Sequence, residues 1–297
     1  MIASNTIRNT YPVYGHRLVS TLAILQPYNI TGYPAIKIQQ VDSICFSYNS
    51  ESTLHGGREL IYHANMPFEE LNYSDDIWAL EIKGVVMFIW YPEEKRIGYI
   101  EHEKYTVDRL HYWLLHTFLP LVFVFQENYH LLHAAAVEIE EGKAILLLAP
   151  PRGGKSTLTH ALIDKGYRFL GDDVVALYKD ENEYKVIPSY PYCRIERVPE
   201  SLGVCCAGSY VKESLTLVGA FCLNLMHNNQ EVELQTLKGL KKFNVFRRSI
   251  FSPASYIKHA SFQVESDLAN CMPVYYIKGK LEKKHLQFII NLIKNIY

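Results

Sequence analysis

Alternation of apolar and polar side chains dominates the first third of the chain. Trp78-Ala79-Leu80-Glu81-Ile82-Lys83-Gly84 alternates clearly, and Ala35–Val41 alternates in part. Val85–Tyr91 is apolar, and a Pro92-Glu93-Glu94-Lys95 turn separates it from Arg96–Ile100. A period of two with turn residues between the runs predicts strands joined by hairpins. Residues 1–105 therefore read as a β-rich N-terminal domain built on an antiparallel sheet. His55-Gly56-Gly57-Arg58 reads as a tight turn and not as a phosphate loop, because no helical period follows it. The period then changes. Leu110, Trp113, Leu114, Thr117 and Phe118 recur at helical spacing. Thr106 is placed to cap that helix, with Asp108 in its first turn. A connecting helix is expected over 106–127, with Pro120 kinking or ending it.

From 128 to 297 the two periods mix, which predicts an α/β (α+β) domain. Ala144-Ile145-Leu146-Leu147-Leu148-Ala149 has the length and branching of a buried strand. A helical pattern through Leu158, Ala161 and Leu162 closes at Gly166. A short strand, Tyr167–Leu170, ends in Gly171-Asp172-Asp173. Val174–Tyr178 and Tyr184–Ile187 flank one turn, and Phe221–Met226 and Glu231–Leu237 flank another at His227–Gln230. Both pairs read as hairpins. Lys238–Ile250 is expected to be helical. Leu286, Ile289, Ile290, Ile293 and Ile296 make a C-terminal amphipathic helix, which packs on the core or makes the subunit contact of a homo-oligomer.

Composition narrows the function classes. A hydrophobic share of 48% supports a sizeable core, and 297 residues suit one large domain or two modest ones. A net charge of −1 gives no electrostatic footprint for nucleic acid or an anionic membrane surface. The apolar run Tyr112–Phe125 is short for a bilayer and is interrupted by His116 and Pro120, so a buried helix is expected there. Cys45, Cys193, Cys205, Cys206, Cys222 and Cys271 contain no C-x-x-C pair, and the N-terminus lacks the apolar core of a signal peptide. Reduced thiols in a cytoplasmic protein are the expectation.

The chemistry concentrates between Leu131 and Leu177. Strand, glycine loop, Lys-Ser and helix follow one another at Ala144–Ala149, Pro150–Gly154, Lys155-Ser156-Thr157 and Leu158–Lys165. That is the context a phosphate-binding loop requires. Backbone N–H groups at a helix N-terminus can converge on one phosphate. Gly153 and Gly154 permit the close approach. Lys155 can reach the β- and γ-phosphates, and the Ser156 hydroxyl can ligate Mg²⁺. Arg152, Gly153, Gly154, Lys155, Ser156 and Thr157 are thus the candidate nucleotide-binding residues. The loop departs from the consensus in opening with Ala149 where glycine is usual, and in its Pro150-Pro151 pair. The bland alternative is a chance turn before a core helix.

Four features in order resemble the catalytic core of the HPr kinase family, bacterial serine kinases built on a P-loop. His133 stands in a Leu-His-Ala segment. The loop with Lys155 and Ser156 follows, then Lys165-Gly166-Tyr167-Arg168, then the acidic pair Asp172-Asp173. The likeness is close over this stretch and looser over 128–297. It implies an HPr-kinase-type P-loop core, with ATP and Mg²⁺ as cofactors. It also implies Asp173 as proton acceptor, Asp172 at the metal or its waters, and His133 close to the phosphates. Glu196 corresponds by its offset to the family's second metal-site carboxylate. The glycine-rich motif around that carboxylate is replaced here by Arg194-Ile195-Glu196-Arg197-Val198. Since that region is tied to the reverse reaction in the family, the departure argues for a kinase without phosphorylase activity. Arg247 or Arg248 could place a cation at the transferring phosphate, or form a solvated basic helix face.

The reading that follows is an ATP- and Mg²⁺-dependent serine kinase. Its closer likeness is to lasso peptide kinases, which phosphorylate the C-terminal serine of a ribosomal precursor peptide. The alternatives are a kinase acting on a carrier protein or small metabolite, and a nucleotide-binding regulator without transfer chemistry. The Pro188–Arg197 loop and the nearby hairpins are the expected acceptor groove.

Overall fold

The computed structural model describes residues 9–20, 34–50, 52–127, 129–194, 198–225, 231–251, 258–280 and 282–297. The chain forms two compact units, Met1–Asn128 with Val198–Leu202, and Tyr129–Arg197 with Gly203–Tyr297. Among the described residues no helix is long and apolar enough to cross a membrane.

The first unit is a sheet of β1 (Asn9–Val13), β2 (His16–Ser20), β3 (Ala35–Gln40), β4 (Tyr48–Asn49), β5 (Thr53–His55), β6 (Arg58–Ala64), β7 (Trp78–Ile82), β8 (Val86–Tyr91) and β9 (Arg96–Glu101). Its order is β1-β2-β3-β9-β8-β7-β6-β4, with β5 also on β6. The expected antiparallel sheet needs correction, because β3 runs parallel to both β2 and β9. The long connection between Ser20 and Ala35 allows a parallel return that a hairpin could not make. From β9 to β6 the ladder is antiparallel, as the alternation implies. Gly56 and Gly57 have φ of 58° and 82°. Both positive values are what a two-residue hairpin turn requires.

The helix of this unit runs on to Glu127, so Pro120 does not end it. α1 (Val107–Trp113) starts at Thr106, whose side chain accepts from the Arg109 N–H. A π-helical turn, Leu114–Phe118, leads into α2 (Leu119–Glu127), which carries Pro120 in its first turn. Pro120 has no N–H, and in a regular helix its ring would meet the carbonyl four residues back. The wider turn moves that carbonyl aside, so the chain runs on past the proline. Glu200 shows why Val198–Leu202 belongs here. Arg58 donates to both of its oxygens at 3.0 and 2.8 Å, Trp113 Nε1 donates at 2.7 Å, and Arg109 Nε lies at 2.9 Å. Burial raises the Glu200 carboxyl, but the hydrogen bonds from Arg58 and Trp113 and the two guanidinium charges outweigh it and hold its pKa below the usual range.

The second unit is a mixed α/β layer structure. In chain order it contains β10 (His130–Leu132), β11 (Ala135–Glu140), β12 (Lys143–Leu148), α3 (Lys155–Ile163), β13 (Phe169–Asp172), β14 (Val175–Asp180) and β15 (Glu183–Ile187). There follow β16 (Tyr192–Cys193), β17 (Val204–Cys205), β18 (Leu215–Asn224), β19 (Glu233–Thr236), α4 (Leu240–Ser249), α5 (Lys258–Cys271), β20 (Val274–Lys278) and α6 (Lys283–Lys294). The main sheet runs β10-β14-β15-β18-β12-β11-β13, with β20 on β18 and β19 on β20. β12, β18 and β20 are parallel to one another. Strand alternation sorts β12 between two cores. Ala144, Leu146 and Leu148 pack with Phe246, Val264 and Leu268 of α4 and α5. Ile145 and Leu147 pack with Leu158 and Leu162 of α3 and Ile289, Ile290 and Ile293 of α6. The amphipathic tail thus covers one face of this sheet.

The β14–β15 hairpin is present. The second expected hairpin is not. β18 and β19 do not pair; β20 lies between them, parallel to β18 and antiparallel to β19. Local pattern could not foresee a strand arriving from some forty positions later in the chain, which outcompetes the local partner by extending the parallel core. The turn expected at His227–Gln230 lies outside the described residues.

Candidate active site

The Pro150–Gly154 loop lies at the C-terminal end of β12, beside the parallel strand β18, where α/β sheets place their ligands. Gly153 and Gly154 are required by their surroundings. A Cβ on Gly153 would lie 2.9 Å from Ala149 Cβ and from the Pro150 carbonyl oxygen. Gly154 has φ of 98°, and a Cβ there would lie 2.9 Å from Leu225 Cδ1. The Leu225 N–H donates to the Gly153 carbonyl at 3.2 Å, and the Gly153 N–H to that of Pro150 at 2.8 Å. These bonds fix the loop, and Gly154 serves as the N-cap of α3. At the other end Gly166 has φ of 90°. The Tyr167 N–H returns to Leu162 O at 3.1 Å and the Gly166 N–H to Ile163 O at 2.9 Å, a Schellman closure.

Lys155 opens α3 and is almost wholly buried. Its Nζ lies 3.0 Å from Asp172 Oδ1 and 3.5 Å from Asp173 Oδ1. Asp172 is 0% exposed, and its other oxygen accepts the Arg194 backbone N–H at 3.0 Å. Asp173 ends the turn after β13 with φ of 86°. That left-handed geometry costs a non-glycine residue about 1–3 kcal/mol and is retained only where the surroundings over-determine it. The surroundings here are three nitrogen groups. Arg194 Nη1 donates to Asp173 Oδ2 at 2.7 Å, while Lys155 and His133 Nδ1, the latter at 3.3 Å, face Oδ1.

These groups enclose a cavity of about 300 Å³ lined by His133, Pro150 to Thr157, Asp173 and Arg194. The structure therefore brings together Arg152, Gly153, Gly154, Lys155, Ser156, Thr157, His133 and Asp173. Asp172 is not on the cavity wall; it stands behind Lys155. Arg248 lines a neighbouring cleft with His133, Pro150 and Pro151. Arg247 lines neither and lies 6.0 Å from the centre of the Phe243 ring. Glu196 is outside the described residues. Arg194 is the participant that sequence reasoning missed. It sits one residue beyond the two-residue strand β16, and only its place opposite Asp173 distinguishes it from any surface arginine.

No family model matches the chain, and no curated protein matches it. Among solved structures, the HPr(Ser) kinase/phosphatase from Coxiella burnetii aligns with 56% of this chain and 95% of its own length. The aligned parts are 17% identical, with a TM-score of 0.35.

The donor set has the character of a polyphosphate site. A buried lysine at a helix N-terminus, two glycines without room for a Cβ and two further basic side chains face one small cavity. Anions are favoured there by the helix dipole and by the N–H groups of the first turn. The six cysteines are free thiols. Burial is the main reason that the Cys193 thiol, beside the site, is held far above the usual range, and the charge of Asp172 adds to it. It is therefore no candidate nucleophile at neutral pH.

Proposed function

We propose that the second unit is an ATP- and Mg²⁺-dependent serine kinase acting on the C-terminal serine of a ribosomal precursor peptide. The observation that carries the reading is the triad of Lys155, Asp173 and Arg194 at one end of the glycine cradle. Phosphoryl transfer needs positioning and charge neutralisation more than covalent participation by the protein. Lys155 and Arg194 supply positive charge where the γ-phosphate would lie. Asp173 accepts the serine proton as the Oγ–P bond forms, and the β–γ anhydride bond breaks with ADP as leaving group. His133 and Arg194 orient the Asp173 carboxylate. Asp172, fully buried, holds Lys155.

Mg²⁺ keeps several waters and phosphate oxygens and needs only one or two protein ligands. Ser156 and an aspartate of the pair suit that share, and the ion would supply further charge neutralisation. The peptide acceptor rests on the resemblance to lasso peptide kinases. Incubation with MgATP and peptides ending in Ser or Ala tests it. Phosphate on the Ser-ending peptide alone is expected. Equal labelling of both, or of neither, would remove the proposal.

A further inference from the structure

The phosphate cavity has a larger neighbour. A cleft of about 750 Å³ shares His133, Pro150 and Pro151 with it. The cleft opens at the C-terminal ends of β12, β18 and β20 and is closed by one face of α4. Lys241, Asn244, Val245 and Arg248 recur on that face at helical spacing and all line it. The position of α4 is fixed locally. Its last turn leads to Ile250, which bridges Leu132, while the Phe251 N–H donates to Leu131 O at 3.0 Å and the His133 N–H to Ser249 O. The wall of the cleft and the His133 that touches Asp173 are therefore one stitched assembly.

The direction of the shared wall decides what the cleft is for. In a phosphate loop the helix N–H groups hold the inner phosphates and the lysine reaches the outermost one. Here Lys155 Nζ, held at 3.0 Å by the buried Asp172, lies 3.5 Å from Asp173 Oδ1, and His133 Nδ1 lies 3.3 Å from that same oxygen on the cavity wall. The cleft is thus continuous with the γ-phosphate end, and its lining does not include Ser156 or Thr157. That is the side from which an acceptor, and not the nucleoside, must enter.

Its chemistry is one-sided. Among the described residues Lys241 and Arg248 are its charged residues, with Asn224, Asn244, Gln235 and Tyr276 as polar neighbours and no Asp or Glu on the wall. Lys241 and Arg248 are both exposed. Arg248 is close enough to Cys222 for its charge to pull against the burial that raises that thiol to about 11. Leu148, Leu223, Leu237 and Val245 give the rest of the cleft an apolar lining. The volume is in the range that holds a drug-sized ligand, well beyond one amino acid.

We infer that this cleft is an acceptor subsite, in which Lys241 and Arg248 bind a carboxylate close to the hydroxyl that is phosphorylated. With the apolar lining and the volume, the occupant is a peptide C-terminus, not a free hydroxy acid. The inference deepens the serine kinase reading and rests on it for the identity of the acceptor. An arginine–carboxylate pair is the strong, geometrically specific form of such a contact.

Binding, measured apart from transfer, tests it. A short synthetic peptide ending in serine is prepared as the free acid and as the C-terminal amide. Its affinity for the full chain is measured by titration calorimetry in the presence of a non-hydrolysable MgATP analogue, with free L-serine as a third ligand. Roughly tenfold tighter binding of the acid than of the amide is expected. The Arg248→Gln/Lys241→Gln variant should lose that preference and keep its affinity for the nucleotide analogue. Equal binding of acid and amide by the unaltered chain, or a preference that survives the double substitution, would overturn the subsite. L-serine binding as tightly as the peptide would overturn the peptide assignment. A retained acid preference without any phosphate transfer would uphold the subsite and remove the kinase reading, so the two can fail separately.

Discussion

Arg194 donates its Nη1 to Oδ2 of Asp173 at 2.7 Å, while its own backbone N–H binds Asp172 at 3.0 Å. One residue thereby holds both members of the acidic pair. Its side chain and main chain aim Asp173 into the cavity and keep Asp172 behind the lysine. The positive φ of Asp173 gives the same message, since the backbone is held in an unfavourable conformation to present that carboxylate.

Replacement of Asp173 by Asn should separate chemistry from binding. The amide keeps the shape of the carboxylate but cannot take a proton. Transfer to serine is expected to fall by about 10²- to 10⁴-fold, while calorimetry without Mg²⁺ finds ATP affinity equal or better, because a negative charge has left the cavity. Unchanged transfer would show that another group takes the proton.

Two glycines with similar backbone angles should respond differently to alanine. Gly154 and Gly166 have φ of 98° and 90°, but a Cβ on Gly154 meets Leu225 whereas one on Gly166 meets nothing within 4 Å. Gly166→Ala should cost about 1–2 kcal/mol of stability from its backbone alone and leave nucleotide affinity intact. Gly154→Ala should abolish nucleotide binding, since the loop must move to admit the methyl group. Equal nucleotide affinities in the two variants would contradict the cradle.

Lys155 is expected to be structural as well as functional. Its removal leaves Asp172 fully buried opposite a missing cation. Breaking a buried pair in this way costs about 3–5 kcal/mol. Lys155→Met should therefore lower the denaturation midpoint, followed by circular dichroism, and a Lys155→Met/Asp172→Leu double variant should recover much of the loss. No recovery would mean that the pair is not the source of the cost.

The first unit should be acid-sensitive through His111. Burial pushes this imidazole down to about 4, with Asp108 opposing only weakly. Above pH 6.5 the ring is neutral in both folded and unfolded chains, and no penalty arises. As the pH falls from about 6.5 to 4 the unfolded chain takes a proton that the folded one refuses, so stability drops. The loss reaches about 3 kcal/mol below pH 4. All three tryptophans, Trp78, Trp90 and Trp113, are buried in this unit, so their fluorescence reports its unfolding alone. His111→Leu should flatten the decline between pH 6.5 and 4; an unaltered decline would place the acid sensitivity elsewhere.

What could be read from the sequence was what neighbouring residues decide among themselves. The β12 run, the glycine turn, the α3 period and its Gly166 closure are all local, and so is the hairpin between β14 and β15. The parallel neighbours β18 of β12 and β9 of β3 come from distant parts of the chain. Their identity depends on the balance of whole layers, so β20 between β18 and β19 left no trace in the alternation of either strand. Whether Pro120 ends its helix could not be read locally, because that depends on whether the preceding turn can widen. The acidic pair was visible as adjacent aspartates, but not their different placement, Asp172 buried behind Lys155 and Asp173 on the cavity wall, with Arg194 bonded to both from beyond β16. Arg247 and Arg248 are equivalent in sequence; a turn of about 100° per residue along α4 puts only Arg248 on the cleft.

The most direct test of the account is a crystal structure with Mg²⁺ and a non-hydrolysable ATP analogue. The account predicts that the inner phosphates lie against the N–H groups of Gly154 to Ser156. It also predicts that Lys155 Nζ and the Asp173 carboxylate face the terminal phosphate from the His133 side. A nucleotide bound elsewhere, or a terminal phosphate pointing away from Asp173, would contradict it.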